Sequence, residues 1–354
     1  MRNRPFFSIV IPTYNRATDL QFVIFCLLRQ NFKDFEVIIS DNHSTDNSES
    51  IVRGFKSKQI RYFKNGKNIG YAPNLRRAIR YAKGEYIFLH GDDDFLVFKD
   101  SLHAIYKKII KLRPGFVRVN YLCRSFDRQS IFDFPPQKRF KEDKYLPPKA
   151  KIHKILSFIA DSEPNFITGI IFKNSSFRNT KIINSEICPW IDVLLNKSYS
   201  QGAYFISRTN ILASWSHRHT DIHGLRVFYD LINGKVQCES YLAIFRKYLQ
   251  AKDYKLFQEK YLLETYVKMF PAIKFYIGNK NLIDLAKRIV FLNPSFAGSF
   301  LFKYYFTLSL LLPGWLLGMI RRAYLFKYIK FSSVPGAVQF TEAVRKVYTD
   351  FGIS

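Results

Sequence analysis

EYIFLHGDDDFL, residues 85–96, runs from an apolar strand directly into three adjacent carboxylates, Asp92, Asp93 and Asp94. Three neighbouring carboxylates repel one another, and burying any of them without a partner is costly. A divalent cation relieves that repulsion, and Mg²⁺ or Mn²⁺ prefers oxygen ligands, commonly one or two carboxylates together with substrate phosphates. The stretch therefore predicts a metal–phosphate site at the end of a strand. The alternative is a solvated acidic turn before a helix, because Asp is also favoured at helix starts.

The residues upstream alternate between apolar strands and amphipathic helices. Strands are predicted at Phe6–Ile11, Phe35–Ser40, Ile60–Lys64 and Glu85–His90, and helices at 18–30, Asp46–Phe55 and Ala72–Lys83, the last one capped by Gly84. This order predicts a parallel sheet with helices on both faces. Such sheets bind ligands beyond the carboxyl ends of their strands, and the polar clusters of the sequence fall there. They are residues 12–16, 41–44, 65–70 and the Asp triplet.

Four segments resemble a known family: FSIVIPTYNR (7–16), DFEVIISDNHSTDNS (34–48), NGKNIGYAPNLRRAIRYAKGEYIFLHGDDD (65–94) and FITGIIFKNSSF (166–177). On these motifs the chain resembles the inverting glycosyltransferases of family 2, which have the GT-A fold. The resemblance implies an α/β, Rossmann-like fold with a mixed, mainly parallel sheet flanked by helices. It is close as far as the Asp triplet, looser to about residue 215, and absent beyond.

The resemblance also implies a nucleotide-sugar site. It places Pro12, Thr13 and Asn15 in a loop that holds the nucleotide, and Asp41 where a carboxylate accepts a hydrogen bond from the base. Further residues expected on the donor are Asn68, Gly70, Asn74 and either Arg76 or Arg77. The residues by themselves leave other roles open: an Asx turn for the aspartate, turn punctuation for the glycine and a solvated helix face for the arginines.

In the same family the Asp triplet matches the metal-binding DxD motif, which implies Mg²⁺ or Mn²⁺ as cofactor. Gly91 stands at the usual first acidic position, so which two carboxylates face the metal is left open. Asp93 is the first choice and Asp94 a further ligand, whereas Asp92 is also assigned to the nucleotide sugar. A third contributor is expected in SWSHRHTD (214–221), where His217 is preferred to Arg218 and His219. A polar surface loop is the alternative there.

Inverting sugar transfer needs a carboxylate that deprotonates the acceptor hydroxyl, while the metal stabilises the departing nucleoside phosphate. Attack and departure on opposite faces of the anomeric carbon predict inversion without a covalent intermediate. The resemblance places the base after a strand such as TGIIFKN (168–174), near a helix start. Asp192 is the expected base, with Trp190 stacking on a sugar; a helix N-terminal aspartate is its alternative. The remaining candidates are Glu186 and then Asp161 or Glu163.

The composition restricts the classes of binding partner that the protein is expected to have. The 354 residues have a formal net charge of +27, which attracts nucleotide-sugar diphosphates, nucleic acid or an anionic membrane. Nucleic acid is not expected as a partner, because the sequence has no RRM, KH or zinc-finger signature. The four cysteines are scattered, which favours a reducing cytoplasm, and Cys26 is expected in the core. No signal peptide is expected before the first strand.

Residues 226–354 are predicted to form a helical, basic, aromatic-rich region after a catalytic domain at 1–225. No acidic residue lies between Asp284 and Glu342, and YYFTLSLLLPGWLLGMI (304–320) is uncharged. A spanning helix needs about 20 apolar residues. This shorter, Pro-Gly-broken run therefore predicts two short helices or a re-entrant hairpin at a membrane interface, flanked by cations. A helix pair packed on the catalytic domain and a single span are the alternatives.

The resemblance, together with these features, implies an inverting glycosyltransferase. It would move a sugar from a nucleotide-diphosphate donor, UDP by default, to a lipid-linked glycan acceptor in bacterial surface-polysaccharide synthesis. Its expected location is the cytoplasm, as a peripheral protein on the inner face of the plasma membrane. Two alternatives are weaker. A nucleotidyltransferase would have a Gly-rich basic loop after the first strand, and in a non-catalytic basic binding protein the Asp triplet would repel phosphates unless metallated.

Overall fold

The computed structural model describes residues 4–124, 131–132, 140, 142–162, 166–174, 190–214, 245–246, 249–259, 263, 267–320, 323 and 337–352. Contacts divide the chain into two compact units. The first comprises Met1–Ser214 and Ser333–Ser354, and the second comprises Trp215–Ser332. The domain boundary that the sequence predicts at residue 225 lies outside the described residues and stays a prediction.

A ten-stranded mixed sheet forms the centre of the first unit. Its strands are β1 (Phe7–Thr13), β2 (Phe35–Asp41), β3 (Ile60–Lys64), β4 (Tyr86–Leu89), β5 (Phe95–Leu96), β6 (Phe116–Arg124), β7 (Ile131–Phe132), β8 (Lys144–Leu146), β9 (Ile170–Lys173) and β10 (Ala203–Ser214). The helices between them are α1 (Ala17–Leu28), α2 (Ser48–Gly54), α3 (Tyr71–Tyr81), α4 (Ser101–Leu112), α5 (Ile152–Asp161) and α6 (Ile191–Gln201). Neighbouring strands follow the order β3-β2-β1-β4-β9-β6-β10-β5, with β7 beside β6 and β8 beside β10.

The first four strands confirm the predicted parallel sheet. β1 pairs in parallel with β2 and β4, and β2 pairs in parallel with β3. Every residue of β1 and β2 is buried, which explains why both segments read as continuous apolar runs rather than as alternating ones. The register sets Thr13 beside Asp41. The carboxyl ends of these strands therefore meet at one edge of the sheet, where the polar clusters follow them.

β9 runs against its neighbours. It is antiparallel to both β4 and β6, and Ile170 at its start pairs with Leu89 at the end of β4. The residues that precede β9 consequently lie beside the turn that follows β4. This pairing brings Thr168 to the same edge of the sheet as the Asp triplet.

The end of α3 differs from the prediction. The helix ends at Tyr81, and its cap residue, Ala82, is already extended, with φ −66° and ψ 128°. Gly84 as a helix cap is therefore wrong. Its glycine identity has another cause: a Cβ on Gly84 would lie 2.5 Å from the backbone nitrogen of Ser8 and 2.8 Å from the carbonyl carbon of Phe7. Close approach to β1, rather than a left-handed cap, requires the glycine here.

The described helices of the second unit are α7 (Ala251–Gln258), α8 (Phe270–Leu292), α9 (Phe300–Leu311) and α10 (Gly314–Ile320). α8 is interrupted at Gly278, where φ is +78°. Within the described ranges no single helix is both long and apolar enough to cross a membrane. α9 and α10, bent by 118° at the break between them, meet that criterion only as a pair.

The helix α11 (Ala337–Phe351) belongs to the first unit. Its residues Phe340, Val344 and Val347 join a buried apolar cluster that includes Phe22 of α1 and Phe95 of β5. Cys26 is buried in the same cluster, which confirms its predicted core position. The strand that follows the Asp triplet is therefore covered by a helix from much later in the chain.

Candidate active site

The ends of β1 and β4 meet at the centre of the candidate site. The hydroxyl of Thr13 donates a hydrogen bond of 2.8 Å to Oδ2 of Asp92. Arg16, which follows β1, places Nη1 3.3 Å from Oδ2 of Asp93. The structure thus brings together the loop after β1 and the acidic triplet, which the sequence predicts to belong to one site.

Asp92 and Asp93 are partly buried neighbours of like charge. Burial, and after it the charge of Asp93, raise the pKa of Asp92 to about 7. Burial also opposes the charge of Arg16, but Asp93, Asp92 and Asp19 outweigh it and raise the pKa of the guanidinium. A buried carboxylate beside a second carboxylate can be neutralised by a divalent cation, so this pair suits such a cation as ligands.

Mg²⁺ or Mn²⁺ fits this pair on the chemistry of its oxygen atoms. In the described part of the chain, no three or more His, Cys, Asp or Glu residues form a complete metal site. A cation that takes its other ligands from a donor diphosphate and water needs only one or two carboxylates. The expected contributor His217, with Arg218 and His219, lies outside the described residues.

Asp94 is placed differently from its two neighbours. It is buried, with 3% of its surface exposed, and its Oδ2 is hydrogen-bonded to the hydroxyl of Thr168. The same hydroxyl accepts a hydrogen bond of 2.7 Å from the backbone N–H of Gly91. This inward placement does not support the metal-ligand role expected for Asp94.

Asp41 lies fully buried at the end of β2. Its Oδ1 accepts a hydrogen bond of 2.6 Å from the backbone N–H of Ser44, and its Oδ2 accepts one from the hydroxyl of Tyr62. Both oxygens therefore shape the loop, as in the turn role that the sequence leaves open. Asn15, which has a positive φ of 52°, joins this loop to the previous one by accepting a hydrogen bond of 2.8 Å from Thr45 N–H.

The loop between β3 and α3 is held by asparagine side chains. Asn42 Nδ2 donates to Asn68 Oδ1 at 2.7 Å, and Asn42 Oδ1 accepts from Ile69 N–H at 2.9 Å. Asn74 is buried and accepts hydrogen bonds from Ser40 Oγ at 2.8 Å and from Asn65 Nδ2 at 2.9 Å. Asn68 and Asn74 thus order the loop through protein contacts.

The start of α3 contains a glycine in a left-handed turn and an arginine with an N–H group that is unpaired among the described residues. Gly70 has φ +84°, a conformation that favours glycine, and its N–H donates to Asn68 Oδ1 at 3.0 Å. Arg76 is half-buried one turn further on. Its Nη1 is buried and has no hydrogen-bond partner among the described residues. This guanidinium therefore retains hydrogen-bonding capacity for an anionic group.

Asp192 lies in the first turn of α6 and is buried. Trp190 precedes it and has only 2% of its surface exposed; its stacking on a sugar stays a prediction. Asp161 ends α5 and accepts a hydrogen bond of 3.0 Å from Ser157. The other candidate bases, Glu163 and Glu186, lie outside the described residues.

Four polar residues that organise the site were not predicted: Asn42, Tyr62, Asn65 and Thr168. Asn42 and Asn65 belong to polar clusters directly after strands, and that position was a usable signal. Tyr62 lies within β3 and Thr168 lies 74 positions after Asp94. Their partners depend on strand pairing, which local sequence patterns do not define.

The family model "Glycosyl transferase family 2" matches residues 8–153. The chain therefore contains a family 2 glycosyltransferase domain. The matched residues of this domain run from β1 to the start of α5 and include the Asp triplet and the loops that follow β1, β2 and β3, but neither Thr168 nor Asp192.

Two curated relatives resemble the family 2 domain and some residues after it. A GalNAc(5)-diNAcBac-PP-undecaprenol beta-1,3-glucosyltransferase of Campylobacter jejuni is 27% identical over 203 residues, which are 55% of this chain and 62% of the relative. UDP-Glc:alpha-D-GlcNAc-diphosphoundecaprenol beta-1,3-glucosyltransferase WfaP of Escherichia coli is 30% identical over 131 residues, 37% of this chain and 52% of the relative. The chain thus spans less than two thirds of either relative.

A solved structure resembles the chain over most of its length. The crystal structure of S. aureus TarS 1–349 in complex with UDP-GlcNAc has a TM-score of 0.50 and 18% sequence identity, and the match covers 86% of this chain and 90% of TarS 1–349. At this identity the likeness shows the fold alone. The predicted α/β fold of GT-A type is confirmed.

Proposed function

We propose that the protein is a glycosyltransferase that moves a sugar from a nucleotide-diphosphate donor to a glycan acceptor. The observation that supports it is the cluster of Thr13, Arg16, Asp92 and Asp93 at one edge of the sheet, inside a family 2 domain. Two carboxylates suit a divalent cation, and a guanidinium suits a phosphate. This is the combination that a sugar diphosphate requires.

Asp92 and Asp93 are the residues that would hold the cation. When bound, Mg²⁺ or Mn²⁺ neutralises charge that develops on the departing nucleoside diphosphate. Arg16 already contacts Asp93, and we assign its guanidinium to the donor phosphates as well. Arg76 is the second basic residue that we assign to those phosphates, because its buried Nη1 has N–H groups without a hydrogen-bond acceptor in the described part of the chain.

Asp192 is the proposed general base. Its carboxylate takes the proton of the acceptor hydroxyl while that oxygen forms a bond to the anomeric carbon. The bond from the anomeric carbon to the diphosphate breaks on the opposite face, and its electron pair leaves with the nucleoside diphosphate. One displacement inverts the configuration of the anomeric carbon and leaves no covalent intermediate on the protein.

UDP is the nucleotide that we propose for the donor. The name of the Escherichia coli relative includes UDP-Glc as a substrate. Pro12, Thr13 and Asn15 form one wall of the proposed nucleotide site, and Asn68 and Gly70 form the other. Asp41 and Asn74 hold these loops in place, because their buried side chains accept hydrogen bonds from loop residues.

A lipid-linked acceptor at a membrane surface completes the proposal. Both curated relatives are named for acceptors that contain undecaprenol. The α9–α10 surface of this protein, which we define as Phe300, Tyr304, Leu311, Trp315, Met319 and Ile320, is at least half exposed at every position. Exposed aromatic and aliphatic side chains of this kind suit the boundary between lipid head groups and acyl chains.

Charge favours an anionic bilayer as the partner of the α9–α10 surface. Seven Lys or Arg residues and no acidic residue lie between Asp284 and Glu342, and Lys303 is exposed within α9. Each cation near an anionic leaflet adds about 1 kcal/mol to binding. We therefore place the protein at the cytoplasmic face of the plasma membrane, where it would meet its acceptor in two dimensions.

A transfer assay with purified protein tests the proposed function. UDP-sugars and an undecaprenyl-diphosphate glycan would be supplied with Mn²⁺ and, separately, with a chelator. We expect nucleotide release to require the metal and to fall by a factor of about 100 or more in Asp93→Ala. Asp100→Ala is the matched control, because it removes an exposed aspartate that pairs with Arg208 at 3.2 Å. Turnover in Asp93→Ala equal to that of this control would refute the cation site.

A further inference from the structure

Thr168 stands at the junction between the acidic turn and the rest of the sheet. It is fully buried and lies two residues before β9. Its hydroxyl makes two bonds with distinct roles. It accepts the N–H of Gly91 at 2.7 Å, and it is the donor to the carboxylate of Asp94. The Thr168 hydroxyl is thus both an acceptor and a donor of hydrogen bonds to residues of the acidic turn.

The turn fits closely around this hydroxyl. A Cβ on Gly91 would lie 2.6 Å from Oδ2 of Asp94 and 3.1 Å from Oγ1 of Thr168. A side chain at position 91 would therefore separate Thr168 from the turn. Glycine at the usual first acidic position of the motif and a threonine before β9 are consequently two parts of one arrangement in this chain.

Arg118 fixes the backbone of Thr168 from the other side. It is fully buried on β6, and its Nη1 donates to the carbonyl of Thr168 at 2.7 Å while its Nε donates to the carbonyl of Ser162 at 2.9 Å. The rings of Tyr121 and Phe166 lie 5.0 and 5.5 Å from the guanidinium carbon. Arg118, itself held by Ser162 and packed against two aromatic rings, thus fixes the carbonyl of Thr168.

We propose that Thr168, held by Arg118, is a positioning residue for the cation-binding turn, and that Asp94 is the anchor of that turn rather than a metal ligand. The inference rests on the proposed function, since it assumes that Asp92 and Asp93 hold the cation. Asp92 and Asp93 then have a different role from Asp94. Asp94 bonds inward to Thr168, which leaves Asp92 and Asp93 directed towards Thr13 and Arg16.

Binding of Mn²⁺ in the presence of UDP, measured by calorimetry, tests this assignment without any turnover. In Thr168→Val, which keeps the shape and removes the hydroxyl, we expect Mn²⁺ affinity to fall by about 10- to 100-fold, as for other residues that orient metal ligands. Thr168→Ser restores the hydroxyl and should stay within about threefold of the unaltered protein. UDP binding without metal should be equal in both variants.

Ser198→Ala is the matched control. It removes a fully buried hydroxyl from α6 and should leave Mn²⁺ affinity unchanged. If Thr168→Val is folded by circular dichroism and binds Mn²⁺ as tightly as this control, the positioning role is refuted. If Thr168→Val does not fold, the comparison of Asp94→Asn with Asp93→Asn decides.

Asparagine at position 94 can still accept the bond from Thr168, so an anchor should tolerate Asp94→Asn within about threefold in Mn²⁺ affinity, whereas Asp93→Asn should lose about tenfold or more. Equal losses in the two variants would make Asp94 a ligand and overturn the inference. Failure of the unaltered protein to bind Mn²⁺ with UDP would instead overturn the proposed function itself. The two failures are therefore distinguishable.

Discussion

The hydroxyl of Thr13, the last residue of β1, donates to the carboxylate of Asp92, which stands three residues beyond the end of β4. This bond joins the loop after β1 directly to the acidic turn. It is possible because β1 and β4 are adjacent and parallel, so both strands deliver their following residues to the same edge. The orientation of one proposed cation ligand is thereby coupled to the loop proposed to hold the nucleotide.

Thr13→Val should weaken binding of UDP measured with Mn²⁺, because Asp92 loses the hydrogen bond that orients it. A loss of about 1–3 kcal/mol is typical when a buried polar group is left without its partner. Thr13→Ser keeps the hydroxyl and should bind UDP within about threefold of the unaltered protein. Calorimetric titration of the three proteins measures this, and equal affinities for Thr13→Val and Thr13→Ser would contradict it.

Asp192→Asn should separate binding from chemistry. The amide cannot take the acceptor proton, so kcat should fall by about 10²- to 10⁴-fold, while UDP binding with Mn²⁺ should be retained. Asp161→Asn, at the end of α5, is the comparison carboxylate and should keep near-normal turnover. Loss of UDP binding together with turnover in Asp192→Asn would indicate a structural residue, and full turnover would exclude it as the base.

Gly84→Ala should destabilise the first unit, because the added Cβ would meet the backbone of β1 at 2.5 and 2.8 Å. Backbone atoms in a buried strand cannot move aside cheaply, and overpacking of this kind costs about 1–3 kcal/mol. Gly54→Ala at the end of α2 is the matched control, since nothing lies within 4 Å of its Cβ position. Urea unfolding should show a lower midpoint for Gly84→Ala alone.

The carboxylate of Asp143 should make the free energy of unfolding depend on pH in the acidic range. Oδ2 accepts hydrogen bonds from Lys108 at 2.8 Å and Tyr204 at 2.6 Å, and Oδ1 accepts from Ser207 N–H at 3.0 Å. Burial opposes ionisation, but these bonds outweigh it and lower the pKa of Asp143 to about 2.

Since the pKa of this carboxyl is near 3.9 in an unfolded chain, its contribution is present above about pH 4 and disappears as the pH falls towards 2. Asp143→Asn should therefore be less stable than the unaltered protein at pH 6, and the difference in free energy of unfolding should shrink as the pH is lowered to 3. Urea titrations at these pH values measure it. A difference that is constant with pH would show that the charge is not what stabilises this contact.

Binding to vesicles should depend on the α9–α10 surface. Leu311 and Trp315 are 76% and 66% exposed, so replacing both with serine should leave the fold intact and remove apolar area from the membrane interface. We expect sedimentation with vesicles of phosphatidylglycerol to fall by tenfold or more, at about 25 cal/mol for each Å² lost. Leu112→Ser, an exposed leucine of the first unit, is the control. Equal sedimentation of both variants would exclude this surface.

The strands and helices of the parallel half could be predicted because each is a local pattern. β3 was predicted at Ile60–Lys64 and occurs at those residues, and α3 was predicted within one residue at its start. Because β1 and β2 are buried along their whole length, their continuous apolar runs identify them as strands without knowledge of the strands that pair with them. The same parallel arrangement explains why the polar clusters could be assigned to one edge.

The remaining contacts depend on pairings that no local pattern encodes. Thr168 reaches the acidic turn only because β9 inserts antiparallel between β4 and β6. Arg118 lies fully buried in a strand, where a charged residue in sequence suggests exposure. The inward bond of Asp94 to Thr168 follows from this strand pairing, which is why its expected role as a metal ligand could not be checked from local sequence.

The helix α11 has a consequence for how the protein is made. It completes the apolar cluster around Phe22 and Phe95, yet the whole second unit is translated between β10 and this helix. A ribosome therefore exposes the strand beyond the acidic triplet long before the helix that covers it emerges, and such open apolar surface recruits chaperones. A nascent chain interrupted within the second unit would present this uncovered patch to proteases. The cell would thus discard a fragment of the first unit that lacks the complete second unit.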